Sequence, residues 1–350
     1  MMYSKGHGGN IYQNRIDYDF SINTNPFGMP EDVKSKLTEN IGNMCERYPE
    51  ETCYKLRKSI SIKENISEHH IICGNGATEL IYGLVRAINP KKAMLPVPTF
   101  SEYARALRAQ EAEIISYPLV PERGFMVTED IMSYLTPDLD MVFLCNPNNP
   151  TGRLIEHELL SDIITYCRMN NIYVVIDECF IEFTKDYRKN TRKGLIPYNP
   201  YVVIINALTK LFAFPGIRIG YAMTSDIRLI EAVNMQLPSW NVSAIAQMAG
   251  EEVVHHENYV NKSRDFVFKE RKFMFDEMKD MGLEVYPPAA NFLFFHSDTP
   301  LYDELLKRNI LVRSCDNFEG IMKGYYRIAV RKHEANVVLL DAIREILSAK

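Results

Sequence analysis

Lys210 lies just after an apolar run, Tyr201–Asn206, in the segment Leu208-Thr209-Lys210, and Arg218 follows eight residues later in Pro215-Gly216-Ile217-Arg218-Ile219-Gly220-Tyr221. An ammonium held in a crevice near other cations gives up its proton more easily, and the neutral amine can form a Schiff base with a carbonyl. Taken alone, the same lysine also fits a solvated surface position. Gly74-Asn75-Gly76-Ala77-Thr78-Glu79-Leu80 follows Ile71-Ile72 and opens a helical pattern. A helix N-terminus there offers free N–H groups and the positive end of the dipole to an anion, with Gly76 allowing close approach and Thr78 adding a hydroxyl; a plain Gly-rich turn is the alternative. Asn146-Pro147-Asn148-Asn149-Pro150-Thr151-Gly152 comes just past the apolar run Met141–Cys145. It is either a ligand-binding loop at a strand's carboxyl end or a tight turn. Asp177-Glu178 ends the next apolar run, where an Asp serves as a ligand partner or a helix cap.

The elements that must position these residues alternate. Ala93–Val97, Glu113–Leu119, Met141–Cys145, Ile172–Ile176, Tyr201–Asn206 and Ile217–Met223 read as strands buried on both faces. Between them, Ala77, Leu80, Ile81, Leu84, Val85 and Ile88 mark one face of a helix that Asn89-Pro90 stops, and Leu159, Leu160, Ile163, Ile164 and Cys167 mark another. Strand alternating with helix implies an α/β fold with a mostly parallel sheet sandwiched by helices. Residues 1–30, rich in Gly, Asn and Pro, read as an extended arm; residues 31–244 as a large domain; residues 245–350 as a smaller α+β domain. The last comprises a long helix from Ala246 to about Met281, a strand Asn291–Phe295, a helix Leu301–Arg308, a strand Tyr326–Val330 and a closing helix from about Glu334 to Leu347.

Of the 350 residues 46% are hydrophobic and 24% charged, with a net charge of −5. That balance argues against nucleic acid or an anionic membrane as partner, since either calls for a basic face. No apolar run reaches the ~18 residues that span a bilayer, and the first residues lack a signal-peptide core, so a cytoplasmic protein is expected. The seven cysteines include no Cys-x-x-Cys pair, which points to unpaired thiols without a zinc site. The pairs His69-His70 and His255-His256 read as surface histidines, because adjacent residues do not share a helix face.

Taken together, the order and spacing of these segments resemble the class I/II aminotransferase family of fold-type I enzymes, which use pyridoxal 5′-phosphate, and the resemblance covers nearly the whole chain. It implies Lys210 as the Schiff-base lysine and Asp177 as the partner of the pyridine nitrogen, keeping it protonated so that the ring is an electron sink. It implies Asn149 as donor to the ring O3′, and Gly76, Ala77, Thr78 and Arg218 as the phosphate cup, with Thr209 as a further donor. Phe100, in Pro98-Thr99-Phe100, falls where the family stacks an aromatic ring on the cofactor. Tyr48, in Arg47-Tyr48-Pro49, resembles the tyrosine that reaches the neighbouring subunit's phosphate, which implies a homodimer with shared active sites. Arg327, in Tyr326-Arg327-Ile328-Ala329-Val330-Arg331, resembles the arginine that clamps the substrate α-carboxylate in a bidentate fork. One position departs: where many members carry a tyrosine three residues after the aspartate, this chain has Phe180, so O3′ loses one donor.

Within the family the chain is similar to the histidinol-phosphate aminotransferases and closer to the threonine-phosphate decarboxylases of cobalamin biosynthesis. The segments behind this are His7-Gly8-Gly9-Asn10, Asn23-Thr24-Asn25-Pro26-Phe27-Gly28, Pro98-Thr99-Phe100-Ser101-Glu102-Tyr103, Leu208 to Gly216, Pro238-Ser239-Trp240 and Val312-Arg313-Ser314-Cys315. The resemblance implies that Arg313 and Arg327 anchor the two anionic ends of a small phosphorylated amino acid, with His7, Gly8, Asn25 and Asn149 around it. It also implies decarboxylation of L-threonine O-3-phosphate as the leading reaction. Serine phosphate or a phosphono-amino acid presents similar anions; transamination of a histidinol-phosphate-like amine is the alternative, and a binding protein without turnover a third reading.

Overall fold

The computed structural model describes residues 7–349; the first six residues of the expected arm lie outside the described residues. A seven-stranded sheet runs, from one edge to the other, Ile71–Gly74, Gly220–Met223, Val202–Ala207, Tyr173–Asp177, Met141–Cys145, Lys92–Val97 and Glu113–Pro118. Every neighbouring pair is parallel except the two that involve Gly220–Met223. Strand side chains point alternately to opposite faces, and here both faces are dry. Val142, Leu144, Val174, Ile176, Val202 and Ile204 enter one core, while Met141, Phe143, Cys145, Val175, Val203 and Ile205 enter another. The continuous apolar character of these runs is thus the signature of a sheet covered twice.

The helix Ala77–Ile88 buries Leu80, Ile81, Leu84 and Val85. It ends at Asn89, whose left-handed conformation (φ 50°) lets its N–H close on Val85 O at 2.8 Å, before Pro90, which has no N–H to continue the ladder. The expected strand Ile217–Met223 is shorter, Gly220–Met223, because Arg218 takes φ 62° and turns the chain. The single helix expected from Ala246 to Met281 is two, Ala244–Val253 and Glu257–Asp280. His256 fixes the break: its Nδ1 lies 2.9 Å from the last-turn carbonyl of Glu252 and its Nε2 2.8 Å from Asp32.

A second, antiparallel sheet orders Arg313–Ser314, Tyr325–Ala329, Phe292–His296 and Glu284–Tyr286. It packs on the closing helix, His333–Ser348, around a third core that includes Phe295, Ile328, Leu340 and Ile343. The N-terminal segment joins this part through Tyr18–Asp19, which pairs in parallel with Ile310–Leu311. Among the described residues no helix is long and apolar enough to cross a membrane.

Candidate active site

The carboxyl ends of the parallel strands share one edge, and the loops leaving it enclose a cavity of about 440 Å³. Phe100, Asn149, Asp177 and Lys210 reach it from the ends of four strands, and Ala77 and Thr78 from the first turn of the adjoining helix. Thr209 and Arg218 complete the large-sheet side. Arg313 and Arg327, directly paired across the small sheet, enter from the opposite side, and His7 and Gly8 from the N-terminal segment.

Two glycines shape the anion end. At Gly76 (φ 77°) an added Cβ would stand 2.5 Å from Arg218 Nη2, and at Gly220 an added Cβ would stand 2.5 Å from the backbone N of Ala77. The Arg218 guanidinium therefore lies against the positive end of the helix Ala77–Ile88. Two positive groups in contact call for an anion between or beside them, and free helix N–H groups are its natural donors. The cradle fits a phosphate.

Asp177 closes the strand Tyr173–Asp177 with its carboxylate buried. Tyr103 Oη donates to Oδ2 at 2.6 Å and the Cys179 N–H donates to Oδ1 at 2.9 Å. These donors orient the carboxylate and leave it lone pairs for a further cation. Burial, together with the nearby Arg327 and Arg218 charges, brings the Lys210 ammonium down to about 8, so roughly a tenth to a fifth of it is the neutral nucleophile near physiological pH, far more than for an ordinary lysine.

Arg327 donates to Asn149 Oδ1 at 2.5 Å and to Ser21 O at 2.7 Å, while its buried Nε has no partner among the described residues. Burial lowers its pKa to about 10. With Oδ1 taken by arginine, the amide nitrogen of Asn149 is left as a donor. Arg313 is held by Asn317 Oδ1 (2.6 Å) and Ser314 O (2.7 Å), with its guanidinium 5.1 Å from the Phe318 ring centre.

Three of the expected residues stand apart from the cavity lining. Gly76 lies behind it, shaping the cradle. Asn25, expected at the substrate, is buried below Lys210: its N–H donates to Lys210 O (2.9 Å), and its side-chain NH₂ donates to Leu211 O (2.8 Å) and Ser263 Oγ (2.7 Å). Asn25 therefore supports the lysine turn, and its committed amide hydrogens leave none for a ligand. Tyr48 is 80% exposed and stacks on Trp240 with ring centres 4.5 Å apart.

Phe180 lines the cavity and packs edge-on against Phe292. Tyr103, Glu102, Arg105 and Ser21 are functional-looking groups to which no sequence motif assigns a role. For Glu102 and Tyr103 the available signal is their place in the first turn after Phe100, at the end of a buried strand.

The aminotransferase class I and II family model matches residues 15–343. The chain is similar to the threonine-phosphate decarboxylase of Salmonella typhimurium, with 35% identity covering 99% of this chain and 98% of that protein. Among solved structures it is similar to the histidinol-phosphate aminotransferase of Clostridium acetobutylicum, with a TM-score of 0.89, 30% identity and coverage of 95% and 100% of the two chains. It is also similar to the L-threonine-O-3-phosphate decarboxylase of Porphyromonas gingivalis, with a TM-score of 0.84, 25% identity and coverage of 94% and 99%.

Proposed function

The chain belongs to the class I and II aminotransferase family, and from that premise we propose that it decarboxylates a small phosphorylated amino acid, with L-threonine O-3-phosphate the leading substrate. The observation that carries this reading is the pairing of Arg313 and Arg327 on one small sheet, both facing a cavity that also holds Lys210 and Asp177. A substrate with a phosphate and a carboxylate needs two cationic anchors, and a guanidinium forks onto either anion.

The residues present fit pyridoxal 5′-phosphate. Gly76, Ala77, Thr78, Thr209 and Arg218 would hold its phosphate, Asp177 its ring nitrogen, Asn149 its O3′ and Phe100 its ring face, with Lys210 as the anchoring amine. When bound, the cofactor supplies an electron sink for a bond broken at the substrate Cα. Arg327 and Arg313 fix the two ends of the substrate and so select which Cα bond is presented for cleavage. Lys210 Nζ, with its pKa brought down to about 8, can take or return a proton at Cα near neutral pH. Phe180 adds an apolar wall where a hydroxyl would otherwise stand, and Tyr103 and Cys179 hold the Asp177 carboxylate in place. The exposed Tyr48–Trp240 stack supports a homodimer in which Tyr48 serves the neighbour's site.

The likeness to a histidinol-phosphate aminotransferase supports a second reading, transamination. Incubation with L-threonine O-3-phosphate and no keto acid separates the two: catalytic release of CO₂ and 1-amino-2-propanol phosphate, followed by mass spectrometry, is expected. Turnover only when 2-oxoglutarate and an amine are supplied would overturn the decarboxylase reading.

A further inference from the structure

Glu102 is an anomaly in the cavity proposed to receive an anionic substrate. Its side chain is only 7% exposed, yet it lines the cavity from the first turn of the helix Ser101–Ala109. A bare carboxylate there would repel a phosphate and would be costly to bury. Three donors offset that cost: His7 Nε2 at 3.0 Å, Arg105 Nη1 at 2.6 Å and Tyr82 Oη at 3.1 Å. Burial pushes the Glu102 carboxyl up, but the Arg105, Tyr82 and His7 donors more than reverse this and keep it ionised. An ionised carboxylate only accepts, so Nε2 of His7 carries the hydrogen and Nδ1 is the ring atom left for other work.

His7 reaches Glu102 along a segment that is tied down at its far end. Gly9 N–H donates to Ser21 Oγ at 2.7 Å, and Ser21 Oγ donates to Asp19 Oδ1 at 2.6 Å. Any Cβ at Gly8 would collide with Ser21 O, and that same oxygen accepts from Arg327 Nη2. The segment therefore runs as a strap from Ser21, beside the small sheet and its Arg327, to Glu102 on the large-sheet side. Both ends lie on the cavity, and His7 and Gly8 line the span between.

We propose that Glu102 is a positioning residue, the anchor that fastens the N-terminal strap across the cavity and sets His7 facing the substrate. Arg105 shares the carboxylate and balances its charge, so the anchor does not repel the substrate. This rests on the phosphoamino-acid reading for its substrate, though the strap itself does not.

The test uses the holoenzyme with Glu102→Gln and Glu102→Ala. Losing a charge-assisted anchor should raise KM for L-threonine O-3-phosphate about tenfold while kcat stays within about threefold. The cofactor's visible absorbance should not change, because Glu102 is not among the residues assigned to hold it. In a His7→Ala background Glu102→Gln should add less than about twofold, since both changes break one interaction. Hydrogen exchange of the Gly8–Ile11 amides, which does not depend on the reaction, should speed up in both variants. Unchanged KM with unchanged exchange would overturn the proposal, as would a Glu102→Gln effect of full size in the His7→Ala background. Faster exchange in an enzyme that decarboxylates nothing would keep the strap and discard the phosphoamino-acid reading.

Discussion

Lys63, Glu64, Glu182 and Lys193 are partly or wholly buried and close their charges on one another: Lys63 pairs with Glu182 at 3.0 Å, Lys193 pairs with Glu64, and Tyr221 Oη donates to Glu64 Oε1 at 2.7 Å. Lys210, Arg218, Arg313 and Arg327 converge on the cavity instead, and the carboxylates lining it are Asp177, held by Tyr103, and Glu102, held by His7 and Arg105. The first cluster balances two cations with two anions and serves the fold. The second carries an excess of cations that only ligand anions can answer. Burial lowers the pKa of Lys63 and of Lys210, but the net shift differs in sign. Lys63 is raised, because Glu182 and Glu64 more than offset its burial, whereas Lys210 is lowered to about 8, because Arg327 and Arg218 add to its burial. A buried charge with its partner is structural; a buried charge facing a cavity without one marks the place where a ligand completes the electrostatics.

The largest expected break is at the cavity itself. Lys210→Ala should remove the nucleophile and proton carrier together and lower turnover by about 10³-fold or more, with the cofactor's lysine-bound absorbance lost. Retention of normal turnover would reject the assignment of Lys210.

Next in size, the two clusters should respond oppositely to charge removal. Glu64→Ala strands Lys193 beside a buried site and should cost about 3–5 kcal/mol of stability by urea unfolding. Arg327→Leu removes a buried cation whose partners, Asn149 Oδ1 and Ser21 O, are neutral acceptors, so apoprotein stability should fall by no more than about 1–3 kcal/mol while turnover collapses. Equal destabilisation by both would erase the contrast.

How far the sequence disclosed these two regions differs as well. Lys210, Asp177, Asn149 and Thr78 could be marked as candidates because each follows an apolar run that ends abruptly, as a strand buried on both faces does, while the roles expected of them came from the family resemblance. Glu102 and Tyr103 could not be marked in this way, since their roles depend on Asp177 and His7, far away in the chain. The helix Glu31–Cys45 went unmarked because it buries only Val33, which leaves almost no apolar stripe to detect. The strands Tyr18–Asp19 and Arg313–Ser314 are two residues long, too short for any alternation to register. Asn25 was in view, but only the fold shows its amide turned to Leu211 and Ser263 instead of a ligand.

Glu178 sharpens the structural side of the comparison. It follows Asp177, yet its carboxylate faces Thr191 Oγ1 and the Arg192 N–H, away from the cavity lining. Burial pushes it up to about 7, against the pull of those two donors. A carboxyl with a raised folded-state pKa binds its proton more tightly in the native protein. Its stabilising contribution is complete below about 4.5 and is lost as pH rises through about 7. Glu178→Gln should therefore gain about 1–3 kcal/mol relative to the parent at pH 8 and little at pH 4.5. A difference that does not change with pH would show that folding does not raise the carboxyl's pKa.

The smallest effect, and the most direct reading of the cavity's field, is the pH dependence of cofactor loading. Apoprotein mixed with pyridoxal 5′-phosphate forms its lysine linkage through the neutral amine. The absorbance-monitored rate should level off above about pH 8 and fall about tenfold per pH unit below it. An ordinary lysine would still be mostly protonated there, with its plateau near 10.5. Removing the Arg327 charge withdraws one of the two cations that depress Lys210, so in Arg327→Leu the plateau should move to higher pH and loading at pH 7 should slow. Replacing Lys193, whose charge is spent on Glu64, should leave the midpoint where it was. If both variants moved it alike, the depression would come from the protein's overall charge, and the distinction between paired and unpaired cations would not govern this site.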